Sequence, residues 1–183
     1  MILLILILLI LLAYLIFYVS QFYNILFRGY APFVSTNTEA FKKIINEVEI
    51  SNDFTIYELG CGRARFLRIV EEMFCQNVFE KHFRLDLIGV ENLSSIYLLT
   101  KFGRKFQGSA IKLINGDFFS LDLKNADLIY CYLNNETMKN LGEKFIRECK
   151  KGTQIISRRF PIPQFIPEKV IEIKNMKVYF YRI

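Results

Sequence analysis

Nine residues constrain this chain more than any others: Tyr57-Glu58-Leu59-Gly60-Cys61-Gly62-Arg63-Ala64-Arg65. An apolar run over 54–59 reads as a strand with an acid near its end. A Gly-x-Gly turn follows and leads straight into 65–74, where Phe66, Leu67, Ile69, Val70 and Met73 recur at helical spacing. Glycine lets the backbone turn tightly and approach a ligand with no Cβ in the way. The first N–H groups of the next helix are then free to face a polar or negative group. In an open α/β sheet this turn lies at the carboxyl edge, where strand order reverses and ligands bind.

The flanking pattern supports such a sheet. Strands are expected over 85–91, 111–114, 126–133 and 153–157, with helices over 94–106 and 136–150, and Gly152 as a helix stop. An earlier helix over 38–48, capped by Asn37 or Thr38, precedes the first strand, with Phe41, Ile44, Ile45 and Val48 on one face. Alternating strands and helices imply right-handed crossovers and a mostly parallel sheet with helices on both faces. Residues 169–173 and 177–181 alternate around Asn175 and should close the chain as an antiparallel hairpin.

Two further acids end strands. A carboxylate at Glu91, after Leu85-Asp86-Leu87-Ile88-Gly89-Val90, can accept both hydroxyls of a ribose, although a helix N-terminal charge near Ser94 is the competing reading. Asp117, in Asn115-Gly116-Asp117-Phe118-Phe119, can accept from an adenine amino group while Phe118 packs the ring, although Gly-Asp after a strand is also ordinary turn chemistry. A dinucleotide fold is the rival. It asks for Gly or Ala at position 65 and an acid about 20 residues past the turn, whereas this chain has Arg65 and reaches Glu91 about thirty residues on.

The N-terminus is a different material. Residues 1–19 carry no charge, and the first charge is Arg28. Nineteen helical residues reach roughly 28 Å, close to the hydrocarbon thickness of a bilayer. A signal peptide would have a basic start, an apolar core of about 7–15 residues and a small-residue cleavage site, and none is found. Residues 1–27 are therefore expected to be a retained transmembrane anchor, with Tyr14, Tyr18, Phe22 and Tyr23 in an aromatic belt and 28–183 as the folded domain. Arg28, Lys42 and Lys43 follow the helix and no basic side chain precedes it, so the positive-inside rule puts the domain in the cytoplasm of a single-pass protein.

The net charge of +6 arises from 24 Lys and Arg against 18 acids, scattered rather than gathered into a stripe with exposed aromatics. Solvated helix faces or an anionic leaflet explain it better than nucleic acid. Cys61, Cys75, Cys131 and Cys149 show no metal spacing and His82 is the only histidine, so no metal site is expected.

These residues together resemble the class I, seven-strand S-adenosylmethionine-dependent methyltransferases. More narrowly they are similar to the mitochondrial ATP synthase c-subunit lysine methyltransferases and their prokaryotic relatives. The likeness is carried by Pro32-Phe33-Val34-Ser35-Thr36, Glu58-Leu59-Gly60-Cys61-Gly62 and Gly89-Val90-Glu91, then by 126–133, Met138, Leu141, Lys151-Gly152-Thr153 and 157–163. Two departures stand out. Arg63-Ala64-Arg65 occupies the place of the family's Asp-Gly-Arg, and Ser35 that of a proline.

The resemblance implies a Rossmann-like methyltransferase sheet behind one transmembrane helix, with S-adenosyl-L-methionine as cofactor. It implies a cofactor site of Thr36, Glu58, Gly60, Cys61 and Gly62, completed by Glu91, Asn92, Asp117 and Phe118. The acceptor is expected to be a protein lysine at or in the membrane. Tyr132 and Phe33 could hold its ammonium against their rings, and Asn134 could accept from the amine. Core packing is the competing reading of Tyr132. Two other functions remain open, a catalytically silent membrane-tethered binding module and a methyltransferase of RNA or a small molecule.

Overall fold

The computed structural model describes residues 2–28, 38–75 and 84–183, with side chains outside 21–28 and 104–107. They divide between two units, Met1–Val34 and Ser35–Ile183.

In the first unit, α1 runs over Ile2–Arg28. Its Ile2–Ser20 portion has a mean hydropathy of 3.3 and no buried share, which by length and composition is enough to cross a membrane. The hydroxyls of Tyr14 and Tyr18 lie 3.0 Å apart, one turn from each other.

In the second unit, the described residues form α2 (Thr38–Ile45), β1 (Thr55–Leu59), α3 (Arg65–Phe74), β2 (Asp86–Glu91) and α4 (Ser94–Gln107). β3 (Lys112–Asn115), β4 (Leu128–Cys131), α5 (Asn135–Glu148), β5 (Gln154–Arg158), β6 (Lys169–Ile173) and β7 (Met176–Arg182) follow. They build one seven-stranded sheet in the order β3-β2-β1-β4-β5-β7-β6. β1 to β5 are parallel, and β7 runs antiparallel between β5 and β6.

Strand periodicity divides the core in two. Ile56, Tyr130, Ile156, Val178 and Phe180 point to the face covered by Phe41, Ile44, Phe66 and Val70 of α2 and α3. Tyr57, Leu59, Ile129, Cys131 and Ile155 point to the other face, against Met138, Leu141 and Phe145 of α5. All four residues of β4 are buried, as expected of a central parallel strand covered on both sides. The order reverses between β1 and β4, so the loops leaving these two strands flank the switch-point crevice.

Expected elements appear, with differences at their ends. β4 covers 128–131 rather than 126–133: the Ala126 carbonyl accepts from the Thr153 hydroxyl, Asp127 accepts from Thr55 N, and Asn134 leaves the strand to cap α5. α2 ends at Ile45 because the next turn tightens, with Glu47 N on Ile44 O and Val48 N on Ile45 O. α5 ends at Glu148, so Gly152 is not its stop. Instead Gly152 takes φ +93° in the turn into β5 and donates to Ile183 O. The hairpin turn is Lys174-Asn175 at φ +50° and +61°, the mirror-image turn that matches strand twist.

Candidate active site

The loop leaving β1 winds through alternate left-handed residues, Gly60 at φ +70°, Gly62 at +52° and Ala64 at +50°. Cys61 N donates to Val90 O (2.9 Å) and Ala64 N to Cys61 O (2.7 Å), drawing the loop across the end of β2. At Gly60 a Cβ would lie 2.8 Å from Leu133 Cδ2. Gly62 is held from both sides: its N–H donates to Glu91 Oε2 (2.9 Å), and its carbonyl accepts from the Thr100 hydroxyl of α4 (2.6 Å). The Cys61 side chain packs beneath, where a Cβ at Gly89 would meet its sulfur at 3.0 Å. Burial pushes the Cys61 thiol up, so it acts as a small apolar side chain rather than a nucleophile.

The three strand-end acids sit at the carboxyl edge of adjacent strands but do different work. Glu58 lies under the loop, with Oε2 accepting from Leu67 N (3.3 Å) in the first turn of α3. Ala64 at the helix start has no polar side chain, so this carboxyl from the strand is the cap. Burial pushes Glu58 up to about 8, against the pull of the Leu67 and Phe66 N–H groups and of Arg68. Glu91 bridges two loops: Oε2 takes Gly62 N, and Oε1 takes Leu93 N at 2.9 Å. Burial raises its pKa, opposed by the N–H groups of Leu93, Gly62 and Asn92. Each of its oxygens keeps acceptor capacity beyond the bond it already makes. Asp117 is exposed, and its Oδ1 caps the short 3-10 turn Phe118–Ser120 through Phe119 N (2.9 Å). Phe118 is 3% exposed and belongs to the core beneath, while its neighbour Phe119 is 38% exposed at the rim.

Across the crevice the material is aromatic. Tyr130 stacks on Phe66 at 4.2 Å and meets the edge of Phe41 at 5.9 Å. Burial raises the pKa of its hydroxyl, which feels both Arg158 and Glu58. Tyr132 is half-buried. Its ring carries the Arg158 guanidinium at 5.0 Å, and its hydroxyl donates to Met176 Sδ at 3.8 Å. Asn134 Oδ1 accepts from Thr137 N (2.8 Å) as the cap of α5, leaving one lone pair, and Glu136 sits in that helix's first turn.

Glu58 and Glu91, near the ends of β1 and β2, are thus gathered with Gly60, Cys61, Gly62 and Asn92 of the loops that follow, and Asp117 and Phe118 come after β3. Tyr132 and Asn134 follow β4. Phe33 and Thr36, with Pro32, Val34 and Ser35, lie outside the described residues. Sequence reasoning missed Thr100 and Arg158. Thr100 follows Ile96 by four residues on the inward face of α4, and the buried arginine lies within a stretch matched only by resemblance. Among the described residues no cluster of His, Cys, Asp or Glu is placed to hold a metal.

Three comparisons with known proteins bear on the family and the fold. The family model described as the ANTKMT methyltransferase domain matches residues 58–169. A "Protein-lysine N-methyltransferase" of Saccharolobus islandicus (strain REY15A) is 27% identical over 158 residues, covering 84% of this chain and 94% of the relative. Among solved structures, an RNA methyltransferase from Salinibacter ruber in complex with S-adenosyl-L-homocysteine is similar with TM-score 0.70 and 20% identity, over 82% of this chain and 94% of that one. Precorrin-6y C5,15-methyltransferase from Geobacter metallireducens is similar with TM-score 0.55 and 14% identity, over 70% and 64%. Those two act on unlike substrates, so the shared fold leaves the acceptor undecided.

Proposed function

The chain belongs to the ANTKMT methyltransferase family and is an S-adenosylmethionine-dependent methyltransferase; from that premise we propose that it methylates lysine amines of a protein at a membrane that it enters through α1. The observation that carries the site assignment is Gly62, fixed between Glu91 and Thr100 so that the loop is set before any ligand arrives. The protein-lysine activity named for the Saccharolobus relative supports lysine as the acceptor.

The residues present fit the cofactor. Glu91 has both oxygens oriented by backbone N–H groups and acceptor capacity on each, which suits the two hydroxyls of a ribose. The left-handed φ of +70° at Gly60, with the Leu133 side chain packed against it, keeps a Cβ out of the loop. Asp117 would accept from the adenine amino group, with Phe118 below and Phe119 at the rim. The backbone of Gly60, Cys61, Gly62 and Asn92, with Thr36, would complete the enclosure. When bound, S-adenosylmethionine supplies a methyl group on a positively charged sulfur, reactive without a metal.

The chain's own task is then to align a neutral amine for in-line displacement. An ordinary lysine titrates near 10.4 and must first shed a proton. A guanidinium held beside the acceptor disfavours the ammonium form, and Arg158 lies on one face of Tyr132. The other face of that ring would steer the aliphatic stem, and the remaining lone pair of Asn134 would accept an amine N–H. Glu58 acts on the loop from beneath rather than on substrate.

α1 supports the membrane reading through its uninterrupted apolar length, and the basic residues after it favour a cytoplasmic domain. Confinement to the bilayer surface raises the effective concentration of membrane targets. The test is incubation of the full chain with tritiated cofactor and a membrane fraction lacking the native enzyme. Label in methyl-lysine of a membrane protein supports the proposal. Label in RNA or a small molecule contradicts it, as does cofactor binding with no transfer.

A further inference from the structure

Helix α4 turns an unusual face to solvent. Leu98, Leu99 and Phe102 are 49%, 63% and 62% exposed, at spacings of one, three and four that bring them together on the outer side. The inner side is engaged: Ile96 and Thr100 are buried, and Thr100 is bonded to the glycine loop. Single exposed leucines are common, but three large apolar side chains on one helical patch mark a contact surface.

Charge identifies the occupant. α4 reads Ser-Ser-Ile-Tyr-Leu-Leu-Thr-Lys-Phe-Gly-Arg-Lys-Phe-Gln, with three basic residues and no acid. Among the described residues, every other α-helix of the same unit carries acid: Glu39 in α2, Glu71 and Glu72 in α3, and Glu136, Glu143 and Glu148 in α5. Exposed Ile146 of α5 accordingly sits on a mixed-charge helix. Apolar side chains beside lysine and arginine alone are the composition of a helix lying in the interface of an anionic bilayer. Lys101 Nζ lies 5.5 Å from the Tyr97 ring, beside the patch.

We propose that the Leu98–Leu99–Phe102 face of α4, with its basic flank, seats in the interfacial layer of an anionic membrane as a second contact of the domain with lipid. This rests on reading α1 as a membrane anchor and goes beyond it, because a transmembrane tether alone does not require any face of the domain to touch lipid. It also gives the contact a direct line to the active site. The helix in the membrane surface is the one whose Thr100 holds Gly62, so engagement steadies the loop that binds the cofactor.

The sequence contains no tryptophan, so an introduced indole reports by itself. The full chain carrying F102W is reconstituted into vesicles of phosphatidylcholine and phosphatidylglycerol with bromine-labelled acyl chains. Flotation with the vesicles reports α1, and indole quenching reports α4. The proposal expects a blue-shifted emission that loses roughly half its intensity or more to bromines, from an indole about 5–10 Å into the boundary. The control I166W, at a side chain 93% exposed, should stay red-shifted and unquenched. Adding K101E to F102W should weaken the quenching, and so should omitting phosphatidylglycerol. A chain that floats while the F102W indole stays in water overturns the proposal and leaves the anchor standing. Quenching that needs an added membrane protein also overturns it, and assigns the patch to a protein partner. Failure to float overturns both readings.

Discussion

Along β1, β2 and β3 the carboxyl edge of the sheet is fastened by side chains gripping backbone, whereas across β4, β5 and β7 it is fastened by rings, a thioether and a buried guanidinium. On the first side, Glu91 holds Gly62 and Leu93, Thr100 holds Gly62, and Glu58 caps α3. On the second, Arg158 lies against Tyr132, and both reach Met176. The first arrangement fixes peptide groups where the proposed site would meet the cofactor. The second shapes a surface whose rings set steric and electrostatic preference. The contrast suggests separate failures: damage to the first half should show in cofactor affinity, damage to the second in turnover.

The largest effect is expected from Glu91→Ala, which strands two backbone donors and removes the proposed ribose acceptor. Calorimetric titration should show cofactor affinity lower by about 100-fold, on the order of 3 kcal/mol. A change of less than about tenfold, itself about 1.4 kcal/mol, would break the division between the halves. Tyr132→Leu takes the ring from beneath Arg158, and a loss of about 1–2 kcal/mol of cation–π contact should lower kcat roughly tenfold. Cofactor affinity measured on the same preparation should not move. An equal fall in both would show that the two sides are one unit.

Thr100→Val keeps the shape and deletes one hydrogen bond, leaving the Gly62 carbonyl without its α4 donor. Denaturant unfolding should report a loss of about 1 kcal/mol, with cofactor binding weakened in proportion. Nothing in the sequence announces Thr100 beyond its four-residue interval from Ile96. The glycine turn was legible because its constraint is local: φ values of +70° and +52° at Gly60 and Gly62 need no partner to be anticipated. The α3 limits were legible because Phe66, Leu67, Ile69 and Val70 keep one period. The hydrogen bond from Thr100, the stacking of Arg158 on Tyr132 and the burial of Phe118 depend on pieces far apart in the chain. Strand-end acids were readable as strand ends, but not as different in task. Whether a carboxylate faces a ligand or a helix terminus is decided by how far along the strand it sits. Glu58 pairs with Gly89 and meets the first turn of α3, whereas Glu91, two residues further on the same face, meets the glycine loop.

That placement has a pH signature. The Glu58 carboxyl titrates at about 8 in the folded protein against 4.5 for an unperturbed group, because burial disfavours its charge. The folded state therefore holds a proton that the unfolded chain has released over this interval. Its contribution to stability is complete below about pH 4.5 and is lost as pH rises through about 8. Glu91, also raised by burial, adds to the same slope. Thermal unfolding of the cofactor-free protein should show Tm falling across that range, and Glu58→Gln should flatten the fall while changing little at the acid end. A slope unaltered by the substitution would place the buried proton elsewhere.

The smallest effect concerns Ala64, a non-glycine residue at φ +50° where the resembled family carries glycine. Ala64→Gly relieves the left-handed backbone at some entropic cost, so a gain of about 0.5–1 kcal/mol is expected in denaturant unfolding. A loss would mean that the buried methyl contributes more through packing than its backbone conformation costs.

The central claim is that the loop pinned between Glu91 and Thr100 is the cofactor cradle. It is tested most directly by a crystal structure of the chain grown with S-adenosylhomocysteine. The account predicts that both ribose hydroxyls lie within hydrogen-bonding distance of the Glu91 carboxylate, with the ligand crossing the Gly60–Gly62 turn. Density for the ligand in any other part of the molecule, or a Glu91 carboxylate that meets only protein in the complex, would contradict it.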